Sequence, residues 1–229
     1  MVDSFHLSII LQSTFSIDIR VLYNMASIAR ASRIRNPAVF ICDIQEKFRP
    51  AIYEYPKLIA TTTKLLRASN ALSLPTYITT QNRVRLGDTV SELQPHLSGP
   101  NVKANVDKTL FSMITPEIDA LLPKAPQTVL DAIIVGIESH ICVTQTTLDL
   151  LARGHRVYVL ADGVSSCNAE ERGVAFARLR DAGAIVTTSE SILFEILGDA
   201  GHPQFKTVSG LVKETKEETS GALEVFAKI

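Results

Sequence analysis

The sequence predicts a three-layer α/β/α sandwich built on a mainly parallel central sheet, and three observations lead there. Short, β-branched, nearly continuous apolar runs recur along the chain, as strands buried on both faces require. Helical periods lie between them, and strands that alternate with helices imply right-handed crossovers. The 229 residues, 46% of them hydrophobic, are enough to fill one large core.

The elements follow in order. The run AVFICD (residues 38–43) is the first strand, and after Pro56 the positions Leu58, Thr62, Leu65, Ser69 and Leu72 fall at helical spacing. PTYITTQ (75–81) is the second strand. The stretch VKANVDKTLFSM (102–113) has neither clear period and is expected to be a loop or short edge element bringing Lys103 and Lys108 to the sheet rim. TVLDAIIVG (128–136) is a strand, followed by a helix on which Val143, Thr147, Leu150 and Leu151 share a face. RVYVLAD (156–162) and AIVTTS (184–189) complete the strands, with a helix between them carrying Val174, Ala177 and Asp181 along with Phe176 and Leu179. The domain is therefore expected over residues 37–213, with a leader over 1–36 and a polar tail over 214–229.

Composition narrows the partners. The 23 basic and 24 acidic residues nearly cancel and form no block of like charge, so nucleic acid is an unlikely partner. No apolar run approaches the roughly 18 residues of a membrane span, and no membrane partner is expected. A small-molecule substrate remains. Cys42, Cys142 and Cys167 are odd in number and lack a CxxC pattern, which favours free thiols in the cytoplasm. The acid-free, arginine-bearing stretch MASIARASRIRNP from Met25 has the flavour of a mitochondrial presequence, the alternative location; equally, it is a disordered leader or follows a second start at Met25.

In open parallel sheets ligands bind beyond the carboxyl ends of the strands. The polar residues there are Asp43, Gln45, Gln81, the segment Glu138 to Cys142, and Asp162. Cys142 falls where a helix begins, so unpaired N–H groups and the positive end of the helix dipole favour its thiolate. A nearby lysine would add to that, and a carboxylate within reach could take and return the proton. The turn GIESHI could aim N–H groups at an oxyanion. Each signal also has a plain structural reading: a buried cysteine, a turn-forming aspartate, a surface lysine. Position alone does not choose Lys108 over Lys103.

The motifs FICDIQEKFRPAI, LGDTVSEL, KTLFSM, GIESHICVTQTTLDLL, DGVSS and TTSESILFEILGDAGHPQFK, taken together, resemble the isochorismatase-like cysteine hydrolases, specifically the isochorismatase domain-containing branch. The resemblance runs over residues 38–213. It implies a catalytic set of Asp43, Lys108 and Cys142, with a non-proline cis peptide at about Ile137 and Glu138 that, with Ile141, shapes the oxyanion site. It further implies acyl transfer through a thioester, no cofactor, and a homo-oligomer. Some relatives instead carry a ribonuclease label. Nicotinamidases hold a metal through an Asp-x-His and a further His, but TTQNRVRLGDT lacks histidine after the second strand, so no metal is expected. True isochorismatases lack the cysteine, which makes their vinyl-ether substrate a poor fit.

Phe48, Gln81, Phe111 and His140 are the candidate pocket residues, although both phenylalanines equally suit the core. His140 tempts toward a Cys–His pair, but two residues apart on a turn the side chains usually diverge. His6, His96, His155 and His202 have no ligand spacing. Cys42 reads as core and Cys167 as a loop thiol without a role. In the tail, Val225, Phe226 and Ile229 are expected either to be mobile or to dock on a neighbouring subunit.

Overall fold

The computed structural model describes residues 33–228, so the leader before Arg33 and the terminal Ile229 lie outside the described residues. Six strands, β1 (Pro37–Cys42), β2 (Thr76–Gln81), β3 (Val102–Lys108), β4 (Asp131–Gly136), β5 (Arg156–Val164) and β6 (Ile185–Thr187), form one sheet in the order β3-β2-β1-β4-β5-β6. Every pairing is parallel.

The inner strands earn their places by being apolar on both faces. Val39 and Ile41 of β1 pack on one side of the sheet with Leu58 and Leu65 of α1 (Tyr55–Leu72) and Ile192 of α6 (Ser189–Leu197). Ala38, Phe40 and Cys42 pack on the other side with Ile118 of α3 (Pro116–Leu121), Leu150 of α4 (Thr144–Ala152) and Phe176 and Leu179 of α5 (Ala169–Ala182). This is the three-layer sandwich. A one-turn helix, α2 (Arg83–Leu86), follows β2.

One expectation needs correction and two are made definite. The ambiguous stretch from Val102 is the edge strand β3: its alternating half-buried and exposed residues reflect a strand paired on one side only, which is why no continuous apolar run marks it. In α5 the inward stripe runs through Arg172, Ala175, Phe176 and Leu179, while Val174 is 69% exposed. The expected tail is part of the fold. Residues from Phe205 form α7 (Phe205–Glu214) and α8 (Lys216–Phe226), and Phe226 is fully buried in its own chain. The buried Arg172 guanidinium lies 4.4 Å from the Phe226 ring centroid and donates to the Phe226 carbonyl at 3.0 Å, while Lys64 of α1 donates to Thr219 at 2.7 Å.

The topology fixes where chemistry can occur. From β1 the chain winds outward through β2 and β3, then returns to β4 on the other side of β1 and winds away through β5 and β6. Between β1 and β4 the connections leave in opposite directions, opening a crevice at the carboxyl ends of those two strands. Gly136 lets them close up. Its φ is +122°, and a Cβ there would collide with the Cys42 carbonyl, to which Ile137 donates its N–H at 2.9 Å.

Candidate active site

The segment leaving β1 supplies Asp43, which adopts left-handed backbone with φ +53°. Strand alternation alone would send Cys42 and Asp43 to opposite faces. The turn at Asp43 brings both toward the same place, so that the sulfurs of Cys42 and Cys142 and a carboxylate oxygen of Asp43 all lie within 4.8 Å of one another. Asp43 is 1% exposed and fully engaged: Thr79 donates its hydroxyl to Oδ1 at 2.7 Å, and Lys108 donates to Oδ2 at 2.7 Å.

Lys108 ends β3 and reaches under the crevice. Besides Asp43, its Nζ donates to Gln81 Oε1 at 2.8 Å and to the Leu110 and Phe111 carbonyls at 3.1 Å each. Burial pulls its pKa down, but the two cysteine sulfurs and the Asp43 carboxylate outweigh burial and hold it above the ordinary lysine range. The ammonium is a fixed charge at neutral pH. Lys103, the other rim lysine, bonds the Pro100 carbonyl at the surface and takes no part.

The segment leaving β4 supplies Cys142. After the cis peptide Ile137–Glu138 the chain enters a wide helical turn, Ser139–Val143, whose Val143 N–H reaches back five residues to the Glu138 carbonyl at 3.1 Å. This turn runs directly into α4, with Thr146 Oγ1 donating to the Cys142 carbonyl at 2.7 Å. Cys142 therefore lies in the first turns of one continuous helical segment, 7% exposed. The Ile141 N–H donates to the Glu138 carbonyl at 3.1 Å and is already occupied.

Above the sulfur opens a pocket of about 200 Å³, walled by Phe48, Leu86, Phe111, Ile137 and Ile141, with Asp43, Gln81, Glu138 and Cys142 as its polar lining. Phe111 is half exposed, so it is wall and not core. Larger cavities on the far side of α1 lack this chemistry. Next to Phe48, Arg49 bridges Glu46 and Glu92. Gln45 clamps the end of β2, accepting the Gln81 N–H at 2.7 Å and donating to the Gly87 carbonyl at 2.7 Å.

Other sequence candidates are placed elsewhere. Asp162 is buried away from the pocket, accepting the backbone N–H of Ser189 at 2.8 Å and its hydroxyl, so it tethers α6. His140 turns from the pocket to Ser166, with Nδ1 3.0 Å from the serine Oγ. Two participants escaped the sequence reading. Leu86 opens one of the quoted motifs but carries no chemical signal. Cys42 reads as core because it is fully buried; burial, a side-chain hydrogen bond with Cys142 and the nearby Asp43 carboxylate push its thiol well above the usual range.

Residues 37–191 match the family model described as the isochorismatase domain. The chain belongs to the isochorismatase family. It is 39% identical over 204 residues to isochorismatase domain-containing protein 2 of Xenopus laevis, an alignment covering 88% of this chain and 96% of that protein. Among solved structures, the MAR1 ribonuclease from Caenorhabditis elegans superposes with a TM-score of 0.74 at 42% identity, covering 80% of this chain and 93% of the other. The Escherichia coli YcaC gene product, titled an octameric hydrolase of unknown specificity, superposes with a TM-score of 0.68 over 85% of this chain and 95% of its own; at 20% identity that likeness is one of fold. Isochorismatase-family proteins are typically cysteine hydrolases.

Proposed function

We propose that this isochorismatase-family chain is a thiol-dependent hydrolase of a small amide or related C–N bond, acting through a thioester on Cys142. The observation that carries the reading is the buried Lys108–Asp43 pair with the Cys142 sulfur beside it, at the floor of an apolar-walled pocket. A permanently charged ammonium stabilises anionic forms of its neighbours. Such a pair in an otherwise apolar crevice is costly to maintain for stability alone.

The steps balance with these groups. Asp43 takes the proton of Cys142, and the thiolate forms a bond to the substrate carbonyl carbon while the Cys142 N–H receives the developing oxyanion. The C–N bond breaks as Asp43 returns the proton to the leaving ammonia or small amine. Water then gives its proton to Asp43 and attacks the thioester, releasing the acid and the thiol. Lys108 offsets the negative charge throughout. The pocket volume suits a small planar acyl group, with Gln81 as its amide contact. Assembly into a homo-oligomer fits the octamer described for YcaC and belongs to the same proposal.

A panel of small amides assayed for released ammonia tests this. Turnover that Cys142→Ala abolishes while the fold is kept supports it; turnover unaffected by that change refutes it. The likeness to the MAR1 ribonuclease favours a second reading, action on RNA. The formal net charge of −1 and the small apolar pocket weigh against it, and salt-dependent RNA retention in filter binding would revive it.

A further inference from the structure

Among the described residues, two groups of three side chains bring potential metal-ligating atoms within 4.8 Å of one another. The first, Cys42, Asp43 and Cys142, already has its cation: Lys108 Nζ sits 2.7 Å from Asp43, and a metal ion there would face that ammonium. The second is Glu138, His140 and Cys167, which the hydrolytic steps leave unused. We infer that Glu138, His140 and Cys167 form a binding site for a borderline-soft divalent cation of the zinc type at the edge of the pocket.

The donor set points to that class. One thiolate sulfur, one imidazole nitrogen and one carboxylate oxygen suit zinc or cobalt, whereas magnesium and calcium take oxygen ligands. Three protein ligands leave a fourth tetrahedral position open. Metal–ligand bonds of about 2.0–2.3 Å place tetrahedral ligand atoms about 3.3–3.8 Å apart, so closure from 4.8 Å needs a movement of at most about 1–1.5 Å. Cys167 is exposed and on a loop, and its thiol already hydrogen-bonds the Glu138 side chain, so the sulfur faces the carboxylate with which it would share the ion.

Two of the three ligands are held in place from behind. Glu138 Oε2 accepts the Cys167 backbone N–H at 2.8 Å, fixing the carboxylate beside the thiol. The His140 ring is oriented by Ser166, whose buried hydroxyl also accepts the Ser139 N–H at 3.1 Å. A metal on the other ring nitrogen would leave Nδ1 to donate to that serine, the usual outer-shell arrangement of a metal-bound histidine. On loading, the sulfur–metal bond replaces the Cys167 S–H bond and one proton passes to solvent. Because Glu138 also lines the pocket, the ion would stand beside the Cys142 chemistry without occupying it. Sequence spacing conceals the site, since Cys167 arrives on the loop after β5 and not from the turn carrying the other two.

The test uses the full chain, stripped with chelator, reduced, and titrated with cobalt(II). The expected result is one equivalent bound per chain, with thiolate-to-cobalt charge-transfer absorption and tetrahedral d–d bands, displaced by zinc. Cys142→Ala keeps these bands, Cys167→Ser loses the charge-transfer band, and His140→Gln weakens binding by more than about 100-fold, the upper range for losing even an outer-shell partner. Absence of the bands in the unaltered protein overturns the inference. So does their loss in Cys142→Ala with survival in Cys167→Ser, or an unchanged affinity in His140→Gln. None of these readings requires turnover, so the site stands or falls independently of the amide-hydrolase proposal.

Discussion

Replacing Lys108 with methionine removes a buried cation of similar length and leaves its partners in place. Asp43, 1% exposed, would keep one hydroxyl donor and lose its counter-charge, while Gln81 Oε1 and the Leu110 and Phe111 carbonyls would each lose a donor. Breaking one side of a buried ion pair costs about 3–5 kcal/mol, against about 0–1 kcal/mol for an exposed pair. With an m-value of about 2 kcal/mol/M in urea, the unfolding midpoint should fall by about 1.5–2.5 M. The double variant Asp43→Asn/Lys108→Met removes both charges and should recover most of that loss, which a double-mutant cycle reads as coupling. The sign in pH follows from the raised pKa: the contribution of Lys108 is complete below its unfolded value of about 10.4 and is lost only as pH rises through the folded value. The difference between parent and variant should accordingly stay flat across neutral pH. A single-variant loss below about 1 kcal/mol, or no recovery in the double variant, would refute the buried-pair reasoning.

Three further outcomes are expected. Phe226→Ala should destabilise the chain by about 3–5 kcal/mol in thermal or urea unfolding, because the ring is fully buried and carries the Arg172 contact; a change under 1 kcal/mol would mean that α8 does not belong to the domain. Gly136→Ala should give little soluble folded protein, since the new Cβ would meet the Cys42 backbone at positive φ; unchanged yield and melting temperature would contradict the close approach of β1 and β4. Glu92, held down to about 2 chiefly by hydrogen bonding to Arg49, stabilises the fold above its unfolded pKa of about 4.3 and ceases to as pH falls through its folded value. Glu92→Gln should therefore narrow the stability difference between pH 6 and pH 2, measured by thermal melts, and an unaltered acid limb would show that the Arg49 bridge contributes nothing.

The sheet was legible because strands buried on both faces write their character continuously, as TVLDAIIVG does for β4. The edge strand β3 was legible only as a loop or short edge element, because a strand paired on one side mixes Val102, Ala104 and Val106 with polar residues that face solvent. For the site, the rule that chemistry gathers at the carboxyl ends of strands pointed to Asp43, Gln81, Glu138 and Cys142, all of which line one pocket. It pointed equally to Asp162, which serves α6 instead, since nothing local distinguishes a tether from a reactant. The choice of Lys108 over Lys103 came from the KTLFSM motif; its physical reason is the register of β3, whose last residue lies opposite Gln81. Cys42 was hidden by alternation, because only the left-handed turn at Asp43 lets neighbouring residues share one side.

The central claim is that Cys142 is the reactive sulfur, and alkylation measures it most directly. Brief treatment of the folded chain with limiting iodoacetamide near neutral pH, followed by peptide mass spectrometry, should place the adduct first on Cys142, although Cys167 is far more exposed, and Lys108→Met should slow that labelling while leaving Cys167 unchanged. Preferential labelling of Cys167, or a Cys142 rate that ignores the loss of the ammonium, would contradict the account.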